Sequence, residues 1–309
     1  MINRILIRIK VVQMLYSFLV TKQEQKKSEA LKALQQSMDK SYELYHYLLL
    51  LPIALTHLQE QRLDNAKNKY LPTDEDLNPN TKLIDNLLVR KLEANVQFNE
   101  YLKANPISWN DSEVFLRLML DKILNSDIYQ EYINSSNNHL NEDCAFWRDI
   151  LRKLVFIDDD FAEVLENKSV FWNDDLETIG TFVLKTIKKF EDSDYDSLLP
   201  QFKDAEDQNY GALLFTNVVD NIEEYRNLIE QFVDKESWDM DRLAFMDVVV
   251  LMTAIAELLN VPSVPTQVTM NEYIEIAKYY STNKSGRFVN GILIAIINHL
   301  KTTGRIVKE

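Results

Sequence analysis

NEYIEIAKYYSTNKSGRFVNGIL, Asn271 to Leu293, holds two of the five glycines of a 309-residue chain, Gly286 and Gly291. Thr266 to Tyr280 reads as one helix and Gly286 to Lys301 as the next. Ser285 is placed to cap the second, since a serine oxygen accepts from the free N–H groups of a first turn. Those N–H groups, with Lys284 and Arg287 beside them, suit a phosphate. Past the first turn come Phe288, Val289 and then Ile292 to Ile297, apolar on nearly every side, so this helix is expected to be buried. Gly291 costs about 1 kcal/mol of helix propensity against alanine. The expected compensation is close approach of a neighbouring helix.

Upstream, VPSVP, Val261 to Pro265, forces a turn, because each proline disfavours helix at the residue before it. Almost everything else has apolar residues at i, i+3 and i+4, which predicts an all-α protein. Helices are expected over Asn3–Val20, Glu24–Asn65, Thr81–Lys103, Glu142–Glu166, Asp174–Phe190, Asn209–Asp234 and Asp239–Leu259. Asp111 or Ser112, and Asn173, are candidate caps. The acidic stretch Glu191 to Gln208, interrupted by Pro200, is the best candidate boundary.

Composition narrows the classes. At 46% hydrophobic the chain can build a real core, and no stretch reaches the ~18 uncharged apolar residues of a membrane span. Arg4, Arg8 and Lys10 are interleaved with apolar residues, and no small-residue cleavage site follows. Residues 1–20 therefore read as an amphipathic helix of the mature, cytoplasmic protein. Cys144 stands alone, and the four histidines show no metal-ligand spacing, so neither a disulfide, a metal nor a cofactor is expected. The net charge of −14 is uneven: residues 1–23 carry +4, 278–309 carry +5 and 24–277 carry −23. If the two ends meet, they form a local basic patch in an acidic protein.

The stretch from Asn271 to Leu293 resembles the C-terminal signature of the NusB family of transcription antitermination factors. Asn271, Glu272, Glu275, Ala277, Lys278, Ser285, Phe288, Val289, Asn290, Gly291 and Leu293 carry the match. It extends through VPSVPTQV and through WDMDRLAFMDVVVLMTAIAELL, and VVQMLYS, Val11 to Ser17, is similar to the opening helix of that fold. The resemblance implies NusB-like helical bundles built from 1–22 and 205–309, with 23–204 as a large additional α-helical insertion. It implies no catalysis, and binding of boxA-type single-stranded RNA. The implied partner is a NusE-type small-subunit ribosomal protein, within the RNA polymerase antitermination complex that serves ribosomal RNA synthesis.

The residues agree with that chemistry. Arg4 and Arg8 share a helix face by i, i+4 spacing, and Tyr16 lies eight residues on, where its ring could stack on an unpaired base. With Lys278, Tyr280, Lys284 and Arg287 they are the candidate RNA contacts. Asp239, Asp241 and Asp247 are the candidate contacts for the basic ribosomal protein, by the resemblance. Two other readings stand beside this one. The chain could bind protein only, or it could be an RNA-binding domain related to that of the ribosomal RNA cytosine methyltransferases. Ile5 and Leu6 stand where relatives often have arginine, which thins the basic start. Val248 and Met252 likewise replace arginines four apart on one helix face, so part of 23–204 is expected to cover them.

Overall fold

The computed structural model describes residues 1–21, 25–233 and 244–307. Among them the regular structure is helical, apart from one isolated parallel bridge between Ile2 and Phe202. The order is α1 (Arg4–Val20), α2 (Lys27–Lys67), α3 (Asp74–Leu77), α4 (Leu87–Ala94), α5 (Val96–Ala104), α6 (Glu113–Leu124), α7 (Asp127–Asn134), α8 (Leu140–Ile150), α9 (Asp159–Lys168) and α10 (Leu176–Lys189). Then come α11 (Ala205–Asp220), α12 (Ile222–Glu230), α13 (Phe245–Asn260), α14 (Thr266–Tyr280) and α15 (Ser285–Thr302). No helix is long and apolar enough to cross a membrane among the described residues.

Several expected helices break where a side chain rewards the break. Asn95 ends α4 and caps α5 by accepting from Phe98 N–H, so Thr81–Lys103 is not continuous. A π-helical turn over Leu151–Val155 follows α8, and Asp158 then caps α9 through Phe161 N–H. Asp111, Ser112 and Asn173 provide no side-chain cap to the helices they precede.

The chain divides into two units, Met1 with Asp39–Gln201, and Ile2–Met38 with Phe202–Glu309. The first has 30 acidic and 17 basic side chains, a net charge of −13. The second is close to neutral at −1. The first is built around large aromatic rings. Trp109 stacks on Tyr47 with centroids 4.0 Å apart and donates its Nε1 to Tyr47 O at 3.1 Å. Trp172 donates to Lys40 O at 2.8 Å. Both indoles thereby bury their rings without stranding a donor.

The second unit is organised around α13, in which every residue from Asp247 to Leu258 is buried. Helices α1, α11, α12, α14 and α15 pack on it. A Cβ at Gly211 of α11 would lie 3.1 Å from Ile7 Cγ2 of α1, so glycine lets these helices close together. Leu34, in the part of α2 that belongs to this unit, lies against the same spot. Val248 and Met252 are 5% and 1% exposed. An α13 with this apolar circumference needs cover on all sides.

Candidate functional site

The turn from α14 into α15 is where the opening stretch of sequence does its work. Ser285 is the first residue of α15 rather than its cap. Its hydroxyl accepts from Thr282 N–H at 3.1 Å and donates to Asp247 Oδ2 of α13 at 2.8 Å. Asp247 is 4% exposed, so the carboxylate expected to face a protein partner lies inside the unit. Asp239 and Asp241, the other two candidates, lie outside the described residues.

Gly286 has a specific reason to be glycine. A Cβ there would sit 2.8 Å from Lys278 Cγ and 3.2 Å from its Cε. The lysine stem crosses α15 at that point, and its ammonium meets Glu275 at 2.6 Å. Gly291 is different. It is exposed, and a Cβ would meet nothing within 4 Å, so no neighbouring helix accounts for it.

Between α14 and α15 lies a cleft of about 340 Å³ lined by Asn271, Ile274, Glu275, Lys278, Gly286, Arg287 and Asn290. Arg287 is exposed, as is Lys284 at the start of α15, and neither makes an ion pair among the described residues. Asn271 accepts from Gln267 at 2.8 Å and keeps its amide donors, while Asn290 is half-buried with no side-chain hydrogen bond. The cleft thus presents cationic groups for phosphate beside amides able to pair with a base edge. Sequence reasoning missed Asn271 as a contact. Its place one helix turn before Glu275 and two before Lys278 was the available signal.

The candidate residues of α1 fare differently. Arg4 ion-pairs with Glu206 at 2.8 Å and Asp207 at 2.7 Å, and lies over the Tyr210 ring at 4.9 Å. Arg8 is 2% exposed and meets Glu257 with Nε at 2.7 Å and Nη2 at 3.0 Å. Tyr210, Thr269 and Tyr273 also donate to that carboxylate. Burial works against both charges, yet their mutual hydrogen bonds and attraction hold the Arg8 pKa above its ordinary value and the Glu257 pKa below. Arg8 is a core residue of α13's surroundings, not a surface cation. A glutamate in the apolar run of α13 was the sign that a buried cation had to answer it. Tyr16 is 37% exposed, with its ring 5.5 Å from that of Phe245, and Tyr280 is half-buried. The two basic ends therefore do not merge. Lys284 and Arg287 stay open, while Arg4 and Arg8 are neutralised.

The second unit is thus an all-α assembly around one apolar central helix, with an open polar cleft between its last two helices. The NusB family model matches residues 178–298. Transcription antitermination protein NusB of Salinibacter ruber is 36% identical over 134 residues, 41% of this chain and 82% of that protein. The chain belongs to the NusB family. Transcription antitermination protein NusB of Chloroherpeton thalassium is 41% identical over 96 residues, 31% of this chain, and the Finegoldia magna protein of the same name is 38% identical over 81 residues, 26% of this chain. This chain spans 44% and 58% of the length of those two relatives. A solved structure of T. maritima NusB is 31% identical, covers 49% of this chain and 90% of its own, and has a TM-score of 0.29.

Proposed function

We propose that the protein is a non-enzymatic transcription antitermination factor of the cytoplasm. It holds boxA-type single-stranded RNA at the α14–α15 cleft, together with a NusE-type small-subunit ribosomal protein, within the antitermination complex of RNA polymerase. Its chief use is in ribosomal RNA synthesis. The observation that supports the RNA reading is Arg287, exposed and without a carboxylate partner among the described residues, in one cleft with the amides of Asn271 and Asn290, and Lys284, likewise exposed and unpaired, at the start of the same helix. A phosphate there meets positive charge that no internal acid has neutralised, and a single-stranded base finds donors and acceptors next to it. Tyr16 offers a partly exposed ring for stacking.

The second reading, a protein-only module, draws on the neutralised Arg4 and Arg8. One titration separates them. Labelled boxA-like RNA is added to the protein with and without the NusE-type partner. Binding that strengthens with the partner and falls with salt supports the RNA reading, and a protein complex that never takes up RNA overturns it.

A further inference from the structure

Granted RNA at the α14–α15 cleft as proposed above, we infer that the strand lies directly on the bare backbone of α15 at Gly291, with one base face-down on that glycine and against Ile294. The chain has five glycines, and four have an internal reason. A Cβ on Gly180, Gly211 or Gly286 would strike a neighbouring side chain at 2.9, 3.1 or 2.8 Å, and Gly304 has a φ of 68°. Gly291 shares neither reason. It lies inside α15, away from both ends, and its φ is not positive. A Cβ there would meet nothing within 4 Å among the described residues. After proline, glycine is the least favourable residue for a helix interior. The fold alone would be better served by alanine, so the glycine answers to something outside the fold.

The surroundings of Gly291 have the chemistry of a nucleotide contact. Arg287, Asn290, Gly291 and Ile294 stand at i, i+3, i+4 and i+7, one stripe along α15. Arg287 is exposed and unpaired among the described residues, Asn290 is half-buried with no side-chain hydrogen bond among them, and Ile294 is 44% exposed. Arg287 and Asn290 also line the cleft, so the stripe extends its wall. A phosphate meets the guanidinium, a base edge meets the amide, and the base plane rests on Gly291 beside the isoleucine.

A flat ring gains most where no Cβ holds it off the helix. A gap of about 0.5–1 Å already forfeits roughly a quarter to a half of the dispersion attraction. A basic protein in the same place would face Arg287 and Lys284, both unpaired, and like charge opposes that docking.

The test is Gly291→Ala and Gly291→Gln in the full chain. The alanine variant should unfold about 2 °C higher, because an ordinary helical site has lost its glycine. Anisotropy of labelled boxA-like RNA, with the NusE-type partner present, should show affinity falling roughly threefold for alanine and tenfold or more for glutamine. The slope of log affinity against log salt should match wild type in both, since no phosphate contact is removed. Binding of the partner without RNA should be unchanged. Variants that take RNA as wild type does overturn the inference and leave the RNA reading standing. Variants that weaken the partner complex without RNA also overturn it, since the glycine then serves a protein. A wild type that takes up no RNA at all removes the reading and the inference together.

Discussion

Ser285 Oγ donates to Asp247 Oδ2 across 2.8 Å, joining the first residue of α15 to the first turn of α13. Both residues are buried, and the other carboxylate oxygen, Oδ1, has no partner. Among the described residues the serine is therefore the sole hydrogen-bond donor to this buried carboxylate. Ser285→Ala should destabilise the protein by roughly 1–3 kcal/mol, the cost of leaving a buried polar group unsatisfied. Chemical denaturation measures it. Loss confined to RNA affinity, with stability unchanged, would show that the hydroxyl faces a ligand instead.

Arg287 and Arg8 should separate cleanly, although the sequence presents both as candidate phosphate contacts. Arg287→Ala should lower RNA affinity and reduce the slope of log affinity against log salt by about 1, with no change in stability. Arg8→Ala should instead cost roughly 3–5 kcal/mol, because it strands Glu257 in the core. Equal salt slopes for wild type and Arg287→Ala would place the RNA elsewhere. A fully stable Arg8→Ala would mean that the buried pair contributes nothing.

The contrast shows what the sequence could and could not reveal. Helices and their order follow from apolar periodicity, and α14, the turn and α15 were legible because glycine is so scarce. Breaks such as Asn95 and Asp158 were not, since the same side chain in mid-helix or at a cap gives the same pattern. The spacing of Arg4 and Arg8 places them on one face of α1, but a face carries no information about the carboxylate opposite. That carboxylate came from Glu257, some 250 residues away, an acid in the apolar run of α13 that called for a cation without saying which one. Gly286 and Gly291 look alike in sequence, yet only the first is crossed by a neighbouring side chain.

His46 gives the acidic unit a pH dependence with a definite sign. It is 1% exposed, its ring stacks on Tyr101 at 3.5 Å, and burial lowers its pKa to about 4. The unfolded chain takes the proton near 6.5, while the native state resists it until about 4. The stabilisation is thus complete above about pH 6.5 and is lost as pH falls through that window, by about 3 kcal/mol in all. His46→Phe keeps a ring in the stack and removes the titration. The drop in unfolding temperature between pH 7.5 and 5 should be smaller for the variant; equal drops would mean that His46 already charges in the native state.

Val248 tests how the family pattern has been rewritten around α13. The family resemblance implies an arginine at this position and at Met252, four residues on. Both side chains are buried here, at 5% and 1% exposure. An arginine at 248 would return the common family residue to a site that no longer offers it water. Burying the valine is worth roughly 1.5–3 kcal/mol, and a guanidinium in its place adds the cost of an unpaired charge. Val248→Arg should therefore lower the unfolding temperature well beyond a control such as Lys284→Arg, which changes an exposed position. Met252→Arg should do the same, and the double variant should be worse than either. Unfolding temperatures equal to wild type would mean that the cover over this face of α13 parts readily and lets the guanidinium reach water.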